Sequence, residues 1–368
     1  MSVNHFTPTT GLIGGSLIGL SAATLLLFNG DILGASGLMS SFVVTPKKTL
    51  TDPSQHWKLA FLAAFCLTSI NLNALKDESQ GGYYPGLPIV TPLGFIVGGF
   101  LVGFGTKLGN GCTTGHGICG LARRSPRSLA AVLTFMSTGI LAATSCSTTC
   151  PMYPYFRDSS TQRPAVVVGG VGTAIAQLAS VLALSGLIRW TPKIQDIQKS
   201  KKVIPAMASA ALFSLGLKVS GMTVSSKIYG FLNVKGMRDG SWDPTLACVM
   251  GGGLLVSFLS YQWVKGFNIV KNSKALECPI TQKSSGHFNV PSNKVIDAKL
   301  LIGEAMFGLG WGIAGLCPGP AMFLACHGYR DVLFRWWPSF FIGTLIAEHV
   351  TFNGTITRWL NLNAASRM

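Results

Sequence analysis

Apolar residues in this chain come in long blocks. They fall near 11–28, 57–75, 89–106, 129–145, 164–188, 204–217, 244–264, 300–316 and 338–353. A helix crosses a bilayer with about 20 apolar residues, and most of these blocks approach that length. The pattern predicts an all-α integral membrane protein with about nine transmembrane helices. Several blocks break at Gly, Ser, Thr or Pro and resume as half-length apolar stretches, as in GASGLMSSFVV (34–44) and PGPAMFLACHGY (318–329). Surface loops are the plain alternative, but such stretches are too apolar and glycine-rich for solvated loops. They predict short re-entrant or broken helices around a binding site. The N-terminal MSVNHFTPTT lacks a basic leader, so block 11–28 is expected to be a retained span.

The chain also repeats itself. GGFLVGFGTKLGNGC (98–112) aligns with GEAMFGLGWGIAGLC (303–317) at an offset of 205, pairing Gly98 with Gly303, Gly103 with Gly308, Gly105 with Gly310 and Cys112 with Cys317. A second match sets Ser36-Gly37 against Ser220-Gly221 at an offset of 184. The two cysteine motifs follow spans three and eight, an odd separation, so they enter the membrane from opposite faces. The expected organisation is two inverted-topology repeats, 1–163 and 204–368, joined by span five and a basic loop at 164–203. Such repeats hold their substrate near the midplane.

Composition supports the membrane assignment. Charged residues make up 11% of the 368 positions and hydrophobic ones 48%; soluble globular chains carry about 25% charge. Mean hydropathy is +0.43. The net charge of +16 raises the question of nucleic acid, but no dense basic stripe with interleaved aromatics is present, so no nucleic-acid partner is expected. When successive connections are assigned to alternate sides, 19 of the 29 Lys and Arg residues fall on one side. The positive-inside rule places that side, with the C-terminus, in the cytoplasm and the N-terminus outside, in the plasma membrane.

Candidate chemistry gathers at the two cysteines. In GNGCTTGHGICG (109–120), Thr113 and Thr114 suit the start of a helix, as Pro318 does in CPGPA (317–321). Helix starts point free N–H groups at whatever precedes them and attract anions. Gly111, Gly115 and Gly319 let backbone approach a ligand. A thiol at such a place acts either as a thiolate nucleophile or as a soft S–H donor. The expected substrate-binding set is Cys112, Cys317, Thr113, Thr114, Gly111, Gly115, His116, Pro318 and Gly319. Cys112, His116 and Cys119 lack a fourth ligand for zinc, and neither metal nor cofactor is expected. Cys146 and Cys150 suit either a loop disulfide or two free thiols. Glu304, the Glu348-His349 pair and Lys107 are ionisable groups inside spans, open to structural pairing or proton coupling. Arg123, Arg124 and Arg127 suit either an anion-concentrating mouth or positive-inside anchoring.

GFGTKLGNGCTTGHGICGLAR resembles the signature of the YeeE/YedE family of membrane proteins, and GLGWGIAGLCPGPAM resembles its second half. The resemblance spans nearly the whole chain. It implies a waisted passage in which thiosulfate is handed between cysteine thiols by S–H···S hydrogen bonds, the motif cysteines falling on Cys112 and Cys317. Thiosulfate-transporting members usually carry a third cysteine after the first helix, following Gly-Arg-Phe. This chain reads NGDILGASG there and has no cysteine before Cys66. The expected function is therefore transport, not catalysis, of a small sulfur-containing anion, with thiosulfate first and a cytosolic sulfur-transfer protein as a possible partner. The alternatives are a sulfurtransferase that forms a persulfide on Cys112 and a structural membrane subunit.

Overall fold

Glycine and proline punctuation cuts the apolar blocks into helices of defined length. A computed structural model describes residues 6–74, 90–145, 201–238, 240, 242–269, 275–282 and 286–352. Regular structure among them is helical, apart from one isolated bridge between Val264 and Leu276. The first half holds α1 (Pro8–Thr24), α2 (Ala35–Val44), α3 (Pro46–Thr51), α4 (His56–Ala74), α5 (Pro92–Gly109) and α6 (Pro126–Ser145). The second holds α7 (Val203–Val219), α8 (Ser225–Leu232), α9 (Thr245–Tyr261), α10 (Ala298–Ala314), α11 (Pro318–Cys326) and α12 (Trp337–Phe352). Proline opens α1 and α5, where its fixed φ suits a first turn and its missing N–H costs nothing.

The blocks predicted as spans one to four and six to nine are all helices, but they are not all full spans. Among the described residues, three stretches are long and apolar enough to cross a membrane alone: Pro8–Asn29, Pro92–Gly109 and Pro126–Ser145. The pair α10 and α11, bent by 41°, makes a fourth if taken as one broken span. Helices α7 and α9 stop at 17 residues, about 26 Å at 1.5 Å per residue, against a core about 30 Å thick. Span five, at 164–188, lies outside the described residues, as do Cys146 and Cys150. Outward faces remain apolar: Leu12, Leu20, Leu133, Leu141, Leu255, Leu259 and Ile342 are all exposed, as lipid contact requires.

Two antiparallel helix pairs form the centre. In the first, α5 crosses α10 with glycine against glycine. A Cβ on Gly98 would lie 2.5 Å from Ala314 Cβ and 3.1 Å from Gly310 O, and one on Gly105 would lie 2.5 Å from Gly303 O. With no side chain in the way, backbones pack directly, which is how membrane helices gain contact when burial gives no driving force. At the 205 offset these contacts exchange: Gly98 with Gly310 becomes Gly303 with Gly105. In the second pair, α1 lies along α7. Gly216 abuts Gly14, and Ser21 Oγ meets Ser209 Oγ at 2.9 Å. The outer helices trade partners in the same way: α6 packs on α10 and α12 on α5, while α9 packs on α1 and α4 on α7.

Connections sort by end. Asp31 meets Lys202 at 3.3 Å and Asn289 at 2.8 Å, and Arg123 bonds Pro291 O at 2.9 Å, so the connections that follow α1, α5 and α9 gather with the start of α7. At another cluster Lys227 bonds Thr7 at 2.9 Å and Asp243 at 3.3 Å, and Lys235 bonds Thr144 O at 2.8 Å. These contacts join the N-terminal tract and the end of α6 to the tract after α7.

The α5–α10 contact leaves no room for a side chain. Gly105→Val should lower stability by more than about 1–3 kcal/mol, seen as an earlier loss of monodispersity on heating in detergent. Gly251→Ala, where a Cβ meets nothing within 4 Å, should leave it unchanged.

Candidate functional site

Each cysteine motif is built the same way. Helix α5 ends on Asn110 in the left-handed conformation (φ 64°, ψ 40°), and α10 ends on Gly315 likewise (φ 60°, ψ 22°). These residues are equivalent at the 205 offset. Only Gly, Asn and Asp adopt this conformation readily, so the choice of residue stops both helices at one register. Two residues on, Cys112 and Cys317 are extended and cap the next helical segment. Cys112 O accepts His116 N–H at 2.8 Å, and Cys317 O accepts Ala321 N–H at 3.0 Å. The segment after Cys112 is a π-helical turn, Thr113–Gly120, a form often found at functional sites. The segment after Cys317 is α11.

Both cysteines line one cavity between the halves, with about 620 Å³ of atom-free space that includes its opening to solvent. Thr113, Thr114, Pro318 and Gly319 line it with them, as do Ala35 at the start of α2 and Ile228 within α8. Hydroxyls and thiols interlock across the junction. Cys112 Sγ lies 3.2 Å from Thr114 Oγ1, which also accepts Ala35 N–H at 3.3 Å. Thr113 Oγ1 donates to Cys317 Sγ at 3.8 Å. First-turn N–H groups have no acceptor inside their own helix, so Thr113 and Thr114 present donors here. The turn after Cys317 offers fewer, because Pro318 and Pro320 have no N–H. Among the described residues the lining holds no Asp, Glu, Lys or Arg.

Not every predicted site residue reaches the cavity. His116 is buried beside it, Nδ1 at 3.1 Å from Ser128 Oγ and Nε2 at 3.3 Å from Glu304 Oε1. Gly111 packs against the His116 ring, and Gly115 has open space about its Cα. Neither glycine is among the lining residues. Lys107 pairs with Glu348 at 2.7 Å, joining α5 to α12. The three arginines anchor a strap rather than stand free at a mouth. Arg123 donates to Pro291 O, Arg124 to Phe267 O at 3.1 Å, and Arg127 to Val295 O and to Asp297 at 3.0 Å. Among the described residues no cluster of three or more His, Cys, Asp and Glu is placed to hold a metal.

Among the lining residues outside the expected set, three carry soft or polar side-chain groups. Met222 and Met250 bring soft thioethers to the wall. Trp311 is 2% exposed, and its Nε1–H has no partner among the described residues. A buried indole N–H ordinarily finds an acceptor. The only sequence signal was a tryptophan inside a glycine-rich helix, GLGWGIAGLC, which reads as core.

Comparison with known proteins gives this architecture a class. Residues 7–142 match the family described as sulphur transport, and residues 201–354 match a family of unknown function, DUF6691. A probable transporter of Xylella fastidiosa (strain 9a5c) is 33% identical over 156 residues, 42% of this chain and 92% of that protein. Two probable transporters of strain Temecula1 are 38% identical over 128 residues and 37% over 134. These cover 35% and 36% of this chain, and 76% and 90% of the respective relatives. Apolar helices, a cavity between halves and transporter relatives define a membrane transporter. Within that class, the chain belongs to the sulphur transport (YeeE/YedE) family.

At the edge of the bundle Asp297 caps α10. Partial burial pushes its carboxyl up, but the Leu300 N–H and the Arg127 guanidinium outweigh that and hold it below the usual carboxylate range. A carboxylate with a depressed folded pKa stabilises the fold above its unfolded pKa of about 4 and loses that contribution as pH falls through the folded value. Asp297→Asn, which keeps a cap, should melt below wild type at pH 7. The gap should close as pH is lowered below about 4. A gap that is constant with pH would remove the charge from the account.

Proposed function

We propose that this chain carries a small sulfur-containing anion, thiosulfate first, through the cavity between its two halves, with Cys112 and Cys317 as the selecting groups. The observation that carries the reading is that two equivalent cysteines, each capping a helical start, line the same cavity. Neutral thiols donate weak S–H bonds suited to a soft terminal sulfur. Helix-start N–H groups at Thr113, Thr114 and Gly319, together with the Trp311 indole, suit the oxygen end. A wall without full charges favours passage over capture, since conduction needs binding weak enough to release. The exchange of contacts between halves supports two inverted repeats, with Cys112 approached from one face of the membrane and Cys317 from the other. The basic end would face the cytoplasm of a plasma membrane, where a sulfur-transfer protein could receive the cargo.

A sulfurtransferase reading requires a base to raise a thiolate on Cys112. The group bonded to that thiol is the Thr114 hydroxyl, and His116 turns instead to Ser128 and Glu304. That arrangement favours the S–H donor.

Uptake of labelled thiosulfate by cells lacking other routes tests this reading. Cys112→Ala and Cys317→Ala should each reduce uptake to background while the protein still reaches the membrane. Trp311→Phe should cost about tenfold, the worth of one hydrogen bond to a charged group. Full uptake by both cysteine variants would end the proposal.

A further inference from the structure

A second pair of thiols faces each other away from the cavity wall. Cys66 lies in α4, and Cys326 is the last residue of α11. Their sulfurs are 2.7 Å apart across 260 residues of chain. That is closer than two unbonded sulfurs ordinarily sit, and within a small shift of the roughly 2.05 Å of a disulfide. Both residues are partly exposed, whereas Cys112 and Cys119 are buried. Cys112, Cys317 and Cys119 each bond an oxygen group instead: Thr114, Thr113 and Leu33 O.

The surrounding packing fixes each partner without help from the sulfurs. Phe61 and Phe65 hold α4 on Phe213 of α7, and Ser69 Oγ meets Ser214 Oγ at 2.9 Å. Helix α11 is held by Trp337 Nε1–H donating to Ala321 O at 3.2 Å and by its packing on α4. The juxtaposition is therefore built into the frame.

We propose that Cys66 and Cys326 are a modification site, a dithiol that reacts with small-molecule disulfides to form an intramolecular disulfide joining α4 to α11. One thiolate of the pair attacks a sulfur of the reagent disulfide, forming a mixed disulfide and releasing one reagent thiol. The second protein thiolate attacks the protein-bound sulfur of that mixed disulfide and releases the other reagent thiol. Two protein S–H bonds and one reagent S–S bond are lost; one protein S–S bond and two reagent S–H bonds form. The protein is oxidised by two electrons and the reagent is reduced by two. The bond would run from the segment matched as sulphur transport to the segment of the second family. It would also fix the far end of the helix whose first turn carries Cys317. The site stands on this geometry whatever the cargo.

Peptide mapping after oxidation tests it. The full-length protein in detergent is treated with the membrane-permeant disulfide 2,2′-dithiodipyridine. Remaining thiols are then blocked with N-ethylmaleimide, and the protein is denatured and digested without reductant. The expected product is a linked peptide containing Cys66 and Cys326, lighter by two hydrogens than its parts and lost on reduction. In Cys66→Ser, Cys326 should instead retain a thiopyridyl group, and Cys326→Ser should leave one on Cys66. Recovery of both residues in the wild-type protein as separate thiopyridyl or maleimide adducts, with no linked peptide, would overturn the proposal. The wild-type map decides even if a serine variant fails to fold.

Discussion

The direct packing of α5 on α10, backbone against backbone, governs everything else in the molecule. Gly98 and Gly105 from one half meet Gly310 and Gly303 from the other, so two helices that end in cysteine motifs run antiparallel in direct backbone contact. Each is then stopped at the same register by a left-handed residue, Asn110 or Gly315. The cysteines that follow are brought to one cavity by this crossing. A methyl group at any of those glycines would push the halves apart and move both thiols.

That geometry explains how an apolar bundle presents polar chemistry at its centre without burying a full charge in the wall. Helices broken at Cys112 and Cys317 expose N–H groups where an unbroken span would have satisfied them. Ionisable side chains near the cavity turn elsewhere: Glu304 to His116, Lys107 to Glu348, and the arginine trio to the strap that returns over the bundle end. What remains at the wall is a set of soft and neutral donors.

The helical blocks were legible because they follow from composition and spacing, and the 205-offset alignment pairs Asn110 with Gly315, which end their helices alike. Cys112 and Cys317 were legible for the same reason. The second match was misleading. Ser36-Gly37 lies in the first turn of α2, whereas Gly221 is a left-handed residue just past the end of α7 (φ 72°). The left-handed glycine that follows the first helical stretch is Gly30 (φ 75°). A Ser-Gly pair is common in a chain with 44 glycines, and the backbone angle that distinguishes the two is not written in the letters. His116 seemed a cavity residue by proximity to Cys112, yet four residues of helix turn it toward α6 and α10. The arginines of the strap bind carbonyls, partners that no residue pattern reveals. Trp311 was concealed by being where a core tryptophan belongs.

The central claim is that the cavity between these halves passes a soft sulfur anion unaided. Flux of labelled thiosulfate into liposomes containing only the purified protein, run beside labelled sulfate, tests it most directly. The account predicts thiosulfate entry well above protein-free liposomes, with sulfate at background, because sulfate offers no soft sulfur to the thiols. Equal entry of both anions, or no thiosulfate entry with folded protein in the bilayer, would contradict it.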